Sequence, residues 1–343
     1  MDAQPEAQAV QPPQAVFVQL VFGKQLTFAL SGVARLGVAD HMNGGPSPVE
    51  EIAAKVGAHA PSLYRVMRML ASMGVFTETP GRRFALTPVG ELLRTGAPGS
   101  LRHVAIMFGD EWTTRAYEHF THCLRTGKDG VTEAYGKHAF DVLAERPDQA
   151  EAFHLAMTDT SANAAEAVLA AYDFSGIKRI ADVGGGHGIL LSSILRRYPN
   201  MQGFLFDRPE VVAGLPSGRF AGCEDRIGIE GGSFFERVPS GCDAYIMKHI
   251  VHDWSDEHCR TILSLMRDAL PVDGRVLLLE MVVSGEPGPS PAKMLDIEML
   301  AMTVGGKERT ADEFRDLFAS AGLRLNRVVP TASPICVVEA VPA

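Results

Sequence analysis

Residues 179–188 read R-I-A-D-V-G-G-G-H-G, and this stretch decides the fold. Ile180, Ala181 and Val183 predict a short buried strand, with Asp182 near its end. Gly184, Gly185, Gly186 and Gly188 follow, and 189–198 predicts a helix. A strand, a glycine-rich turn and a helix make a ligand cradle at the carboxyl end of a parallel strand. Glycine permits positive φ and close backbone approach, and a helix N-terminus offers free N–H groups. The spacing is G-x-G-x-G; a dinucleotide fingerprint needs glycine where Ile189 stands, and no phosphate-loop G-K-[ST] follows. The next predicted strand, 203–206, ends in Asp207. An acid there, about 20 residues past the turn, accepts hydrogen bonds from both hydroxyls of a ribose. His187, inside the loop, reads as a variable position exposing its side chain.

Downstream, 227–230, 243–247 and 274–280 predict further strands, the last ending in Glu280, and 323–329 and 335–341 predict the final two. Two motif segments lie among them: K-H-I-V-H-D-W-S-D-E-H-C at 248–259 and G-G-K-E-R-T at 305–310.

Upstream, residues 1–13 are rich in Gln, Pro and Ala without periodicity and predict a disordered N-terminus. Apolar residues at helical spacing predict one or two amphipathic helices over 14–36. Ser47, Pro48 and Glu50 fit a capping box opening a helix to about Lys55, and 61–73 predicts a second helix with Leu63, Val66, Met67, Leu70 and Met73 on one face. A hairpin turning at Pro80-Gly81 completes a winged-helix pattern. Such a fold suggests a major-groove reader. Its cations are few (Arg65, Arg68, Arg82, Arg83), however, and the apolar opening helices favour a packing and dimerisation module. Residues 101–172 predict a helical region whose aromatics and methionines pack as core or line a pocket. The domain organisation expected is thus 1–13, 14–100, 101–172 and 173–343.

Composition narrows the class. The chain has 343 residues, 46% hydrophobic and 21% charged, with a formal net charge of -9; that disfavours general nucleic-acid or anionic-membrane binding. Five scattered cysteines without a C-x-x-C pair fit reduced thiols in a cytoplasmic protein better than a disulfide frame or a zinc site. No signal peptide is evident, and the most apolar early stretch, 15–33, is broken by Gln19, Lys24 and Gln25, so no membrane span is expected.

The motifs D-V-G-G-G-x-G, F-D-x-P, K-x-x-x-H-D-W-S-D-E-H-C and G-G-K-E-R-T together resemble the plant-type small-molecule O-methyltransferases. These include caffeate and acetylserotonin methyltransferases and bacterial relatives acting on polyketides and phenazines. The resemblance spans nearly the whole chain. It implies an α/β Rossmann-like class I methyltransferase domain, with a seven-stranded mostly parallel sheet and an antiparallel last strand. It also implies a helical winged-helix-like N-terminal domain that makes a homodimer and closes the partner's pocket. The implied reaction is transfer of a methyl group from S-adenosyl-L-methionine, leaving S-adenosyl-L-homocysteine, to a phenolic or similar hydroxyl of an aromatic small molecule, without a metal.

By the same resemblance His252 is the general base, flanked by Glu280 and Glu308. The chemistry agrees: a phenol of pKa near 10 is mostly protonated at neutral pH, and an imidazole in reach can take its proton. The implied cofactor contacts are Asp182, Gly184, Gly186, Gly188, Asp207, Ser233, Phe234 and Lys248. Ser233 departs from the acid usual near the adenine, and His249 from the Trp or Arg usual after the lysine. Candidate substrate contacts are Trp112, Phe153, Met157, Asp253, Met299 and Met302. Three alternatives stay open: an N- or C-methyltransferase on the same scaffold, a cofactor-binding member with altered chemistry, and a winged-helix DNA-binding regulator.

Overall fold

The computed structural model describes residues 12–42, 44–215 and 217–343. Most of the N-terminal stretch expected to be disordered therefore lies outside the described residues, although Pro13 opens a helix. The chain forms two compact units that divide after Gly109.

In the first unit the opening helices are Pro13–Val21 and Gly23–Arg35. The winged-helix pattern follows: β1 (Ser47–Pro48), helices Val49–Val56 and Ala60–Ser72, β2 (Phe76–Thr79) and β3 (Arg83–Leu86). The three strands pair in the order β1-β3-β2. The expected capping box at Ser47 does not form. Ser47 is drawn into β1, opposite Phe84, so its backbone is spent on strand pairing and Pro48 becomes the residue preceding the helix. On the second helix Leu63, Met67 and Leu70 are buried as expected, but Met73 ends 58% exposed at the helix terminus. Three of the four cations noted above have partners within the unit. Arg82 pairs with Glu50 at 3.1 Å, Arg82 and Arg68 both lie over the Tyr64 ring, and Arg83 donates to the Pro46 carbonyl. Phe17, Leu20, Val21 and Phe22 are exposed. Among the described residues no single helix is long and apolar enough to cross a membrane; the two opening helices meet that test only as a pair bent by 43°.

The second unit begins with helices, the longest being Pro147–Ala171. A seven-stranded sheet follows, built from β4 (Arg179–Val183), β5 (Gln202–Asp207), β6 (Ile227–Gly231), β7 (Ala244–Lys248), β8 (Arg275–Met281), β9 (Leu323–Pro330) and β10 (Ile335–Pro342). Its order is β6-β5-β4-β7-β8-β10-β9. The first five strands are parallel, and β10 runs antiparallel to both its neighbours. Strand alternation sends Ile180, Ile246, Leu277 and Leu279 to one face, against Val168 and the Ile189–Arg197 helix. Ala181, Tyr245, Met247 and Leu278 go to the other, against the Asp256–Ala269 and Ala311–Ser320 helices. With both faces covered, the central strands are mostly apolar, as parallel sheets favour; the buried carboxylates among them, Asp182 near the end of β4 and Glu280 near the end of β8, lie toward the carboxyl ends. The connection from β4 runs to one side, through β5 and β6, before the chain returns to place β7 on the other. The crevice at such a reversal, outside the carboxyl ends of β4 and β7, is where open α/β sheets bind ligands.

Candidate active site

The glycine turn leaves β4 at this crevice. Gly184, Gly186 and Gly188 all have positive φ, at 72°, 55° and 69°. A Cβ on Gly184 would come within 2.7 Å of Ile250 and one on Gly188 within 2.5 Å of Phe220, whereas the space beside Gly186 is open. The Gly186 N–H donates to Asp207 Oδ2 at 2.7 Å and the Arg208 N–H to Oδ1 at 2.7 Å, so the β5 acid and the β4 loop are one structure. Asp182 is buried, and its Oδ2 has no hydrogen-bond partner. Burial and the nearby Asp207 push its carboxyl up to about 7 against the pull of Lys248. Burial also raises Asp207 and lowers Lys248, at the end of β7, to about 8. Phe234 flanks Gly184, and Ser233 Oγ accepts from the Phe235 N–H at 3.3 Å.

His187 is not the exposed side chain expected. It is half-buried and its Nδ1 shares a hydrogen bond with Thr158 Oγ1 at 3.1 Å, tying the glycine turn to the Pro147–Ala171 helix.

After β7 the chain makes one more ladder bond, from the His249 N–H to Leu279 O. It then turns away through the short 3-10 segment Val251–Asp253. The N–H groups freed by leaving the sheet go to Glu280 Oε1, which accepts from Ile250 at 3.2 Å and Val251 at 2.9 Å. This segment places His252, 6% exposed. Its Nδ1 hydrogen-bonds Glu308 Oε1 at 2.6 Å; Glu280 Oε2 stands 3.7 Å from the same nitrogen and Asp253 Oδ1 3.5 Å from Nε2. Sequence reasoning pairs both glutamates with the histidine, and the structure gives them different work. Glu308 bonds the ring, and Glu280 holds the loop that carries it.

Burial alone would lower His252, but Glu280, Asp253 and Glu308 outweigh it and raise the imidazole to about 9. Glu280 is itself raised to about 7, chiefly by burial and then by Glu308 and Asp253. Donor atoms of His252, Glu280 and Glu308 lie within 4.8 Å of one another, a set a divalent cation can also use, but here Nδ1 and Oε1 bond each other.

Arg309 was not singled out from the sequence, yet it is 1% exposed and organises the loop. It donates to the Val251 and Trp254 carbonyls at 2.9 and 3.0 Å and to Asp256 at 2.7 Å. The signal was its place in G-G-K-E-R-T, beside Glu308. Asp296 is a second missed residue, accepting from the Glu308 N–H at 2.9 Å. Gly306 packs so closely on the His252 carbonyl that a Cβ would come within 2.4 Å of it.

The proposed substrate residues spread over several elements. Trp112 is buried edge-on to Phe153, with ring centroids 6.0 Å apart, and its Nε1 has no partner. Phe153 meets Phe140 at 6.1 Å, and Phe140 meets Trp254 at 6.4 Å; aromatic rings thus run continuously from Trp112 to the His252 segment. Asp253 adjoins His252. Met157 is half-buried, and Met299 and Met302 are buried on the Pro291–Met302 helix.

Residues 117–324 match the O-methyltransferase domain and residues 18–96 the O-methyltransferase dimerisation domain. The chain belongs to the O-methyltransferase family. It is 43% identical over 333 residues to the phenazine O-methyltransferase PhzM of Lysobacter antibioticus, covering 96% of this chain and 97% of that one. It is 32% identical to the 8-amino-8-demethylriboflavin N,N-dimethyltransferase of Streptomyces davaonensis, covering 92% and 91%. The O-methyltransferase NcsB1 from neocarzinostatin biosynthesis, solved with S-adenosylmethionine and 2-hydroxy-5-methyl naphthoic acid, superposes with a TM-score of 0.76 at 30% identity, covering 93% and 96%. The enzyme is an S-adenosylmethionine-dependent O-methyltransferase. The residues present suit that cofactor: a positive-φ glycine turn open at Gly186, a buried Asp182 carboxyl with one oxygen unpartnered and an acid at the end of β5.

Proposed function

We propose that this O-methyltransferase acts on a phenolic hydroxyl of an aromatic secondary metabolite of one to several rings, with His252 as general base. The observation that carries the reading is the 2.6 Å bond between His252 Nδ1 and the buried Glu308. A carboxylate can only accept, so Nδ1 keeps its proton and Nε2 is the nitrogen that takes one from an acceptor hydroxyl. S-adenosylmethionine, when bound, supplies an electrophilic methyl group on a sulfonium. The chain's part is to orient the acceptor, make its oxygen anionic and exclude water. Gly184, Gly186, Gly188 and Asp182 would hold the methionine portion, Asp207 the ribose hydroxyls, Ser233 and Phe234 the adenine edge and Lys248 the crevice floor. Trp112, Phe153, Met157, Asp253, Met299 and Met302 would wall the acceptor pocket.

The phenazine named for one relative and the hydroxynaphthoic acid bound in another support a flat aromatic substrate. The dimerisation-domain match and the exposed Phe17, Leu20, Val21 and Phe22 support a homodimer formed through residues 14–100. The acidic chain and the internal pairing of Arg68, Arg82 and Arg83 speak against a DNA-reading role and against anionic membranes. Five free cysteines support a reducing, cytoplasmic location. The test is incubation with methyl-labelled cofactor and a panel of hydroxyphenazines, hydroxynaphthoates and aminohydroxybenzoates, with products read by mass spectrometry. Label on oxygen is expected. Label only on nitrogen, as the riboflavin relative invites, overturns the reading.

A further inference from the structure

His249 follows the end of β7 and departs from the family's usual residue. Its φ is 52°, and among the described residues the only other non-glycine with positive φ is Arg82, in a hairpin turn. Side chains adopt that conformation at a cost, and such outliers gather where the surroundings impose them for function. The strain delivers an imidazole parallel to His252, with centroids 4.9 Å apart and planes at 19°.

The two nitrogens of His249 differ. Nδ1 lies 3.5 Å from Lys248 Nζ. An ammonium can only donate, so Nδ1 accepts and the proton of the neutral ring is on Nε2. Neutrality is secured by burial, by Lys248 and by His252, which together hold the group well below the usual histidine range. Nε2–H is therefore a donor, and it is buried with no partner. A buried donor without an acceptor is destabilising and is retained where a ligand completes it. The occupant is the oxygen of the methyl acceptor, because the ring stacks on the one group that works on that oxygen.

We propose that His249 Nε2–H donates a hydrogen bond to the reacting oxygen of the phenolic acceptor, holding it beside His252 and stabilising its anion. His252 removes the proton, and His249 favours the charged form that remains by bonding to it. Trp or Arg at this position offers a donor of different reach, so His249 also sets which acceptors fit. The proposal rests on the phenolic reading above.

The test pairs two variants and uses whichever hydroxyphenazine or hydroxynaphthoate the wild-type enzyme methylates. His249→Gly removes the donor and relieves the backbone strain; His249→Gln restores an N–H at similar reach. With His249→Gly, kcat/KM for the acceptor should fall about 100-fold. The melting temperature should stay level or rise, and the affinity for S-adenosylhomocysteine should not change. His249→Gln should recover a large part of the loss. A merely structural residue would lose stability instead. The proposal is overturned if His249→Gly keeps the wild-type kcat/KM, if the loss falls on cofactor affinity, or if His249→Gln does no better than His249→Gly. A wild-type enzyme that methylates no phenol overturns the functional reading, an outcome separate from these.

Discussion

The glycine cradle and the His252 cluster face the same crevice and are built from opposite materials. The cradle is backbone. Three left-handed glycines and one aspartate bonded to the loop N–H shape it within a single β-turn-α unit and the strand beside it. The cluster is charge. A histidine and two glutamates from segments up to 56 residues apart are taken out of water together, and carboxylate oxygens of both Glu280 and Glu308 are left without hydrogen bonds. A cradle of backbone is sensitive to any added Cβ, which clashes at Gly184 and Gly188 and meets a positive φ at all three glycines. A buried cluster tolerates small changes of shape but answers to every proton. Substitutions in the first should therefore act on cofactor affinity, and in the second on turnover and its pH dependence.

The largest effect should come from His252→Ala, which should cut kcat by about 10²–10⁴-fold while cofactor affinity by calorimetry stays unchanged. Gly188→Ala should break the cradle: strain at φ 69° and the clash with Phe220 should weaken cofactor binding about 10- to 100-fold, with kcat at saturation largely kept. Glu308→Gln should sharpen the contrast through pH. A base must be neutral to act, so the acceptor rate of the free wild-type enzyme should climb with pH toward about 9 and then level. Without the Glu308 charge the climb should move at least about one unit lower.

Asp182→Asn joins the two regions. A carboxyl raised to about 7 holds more protons folded than unfolded between its ordinary pKa and 7, so it costs stability as pH rises through that window. The variant should melt a few degrees higher than wild type at pH 8 and no higher at pH 4, while binding the cofactor less tightly. The smallest effect is expected from exhaustive dialysis against a chelator, which should leave turnover unchanged because His252 and Glu308 bond each other.

The cradle was legible because it is local. Glycine spacing, a strand and an acid at the right distance lie within about 30 residues. The cluster was legible only through resemblance, since no period links residues 252, 280 and 308. What stayed hidden depends on tertiary placement. Arg309 looks like any surface cation until it is found donating to two loop carbonyls. His187 reads as an exposed loop residue until Thr158, on a helix from elsewhere in the chain, meets it. Ser47 shows that a sound local signal yields when strand pairing claims the same backbone.

The most direct measurement of the central claim is methyl transfer to a series of phenols of graded acidity, by wild type and His252→Ala. If His252 removes the acceptor proton, its loss should be severe for phenols of pKa near 10 and slight for nitrophenols already ionised at the assay pH. An equal loss for both kinds of phenol, or no loss for either, would contradict it.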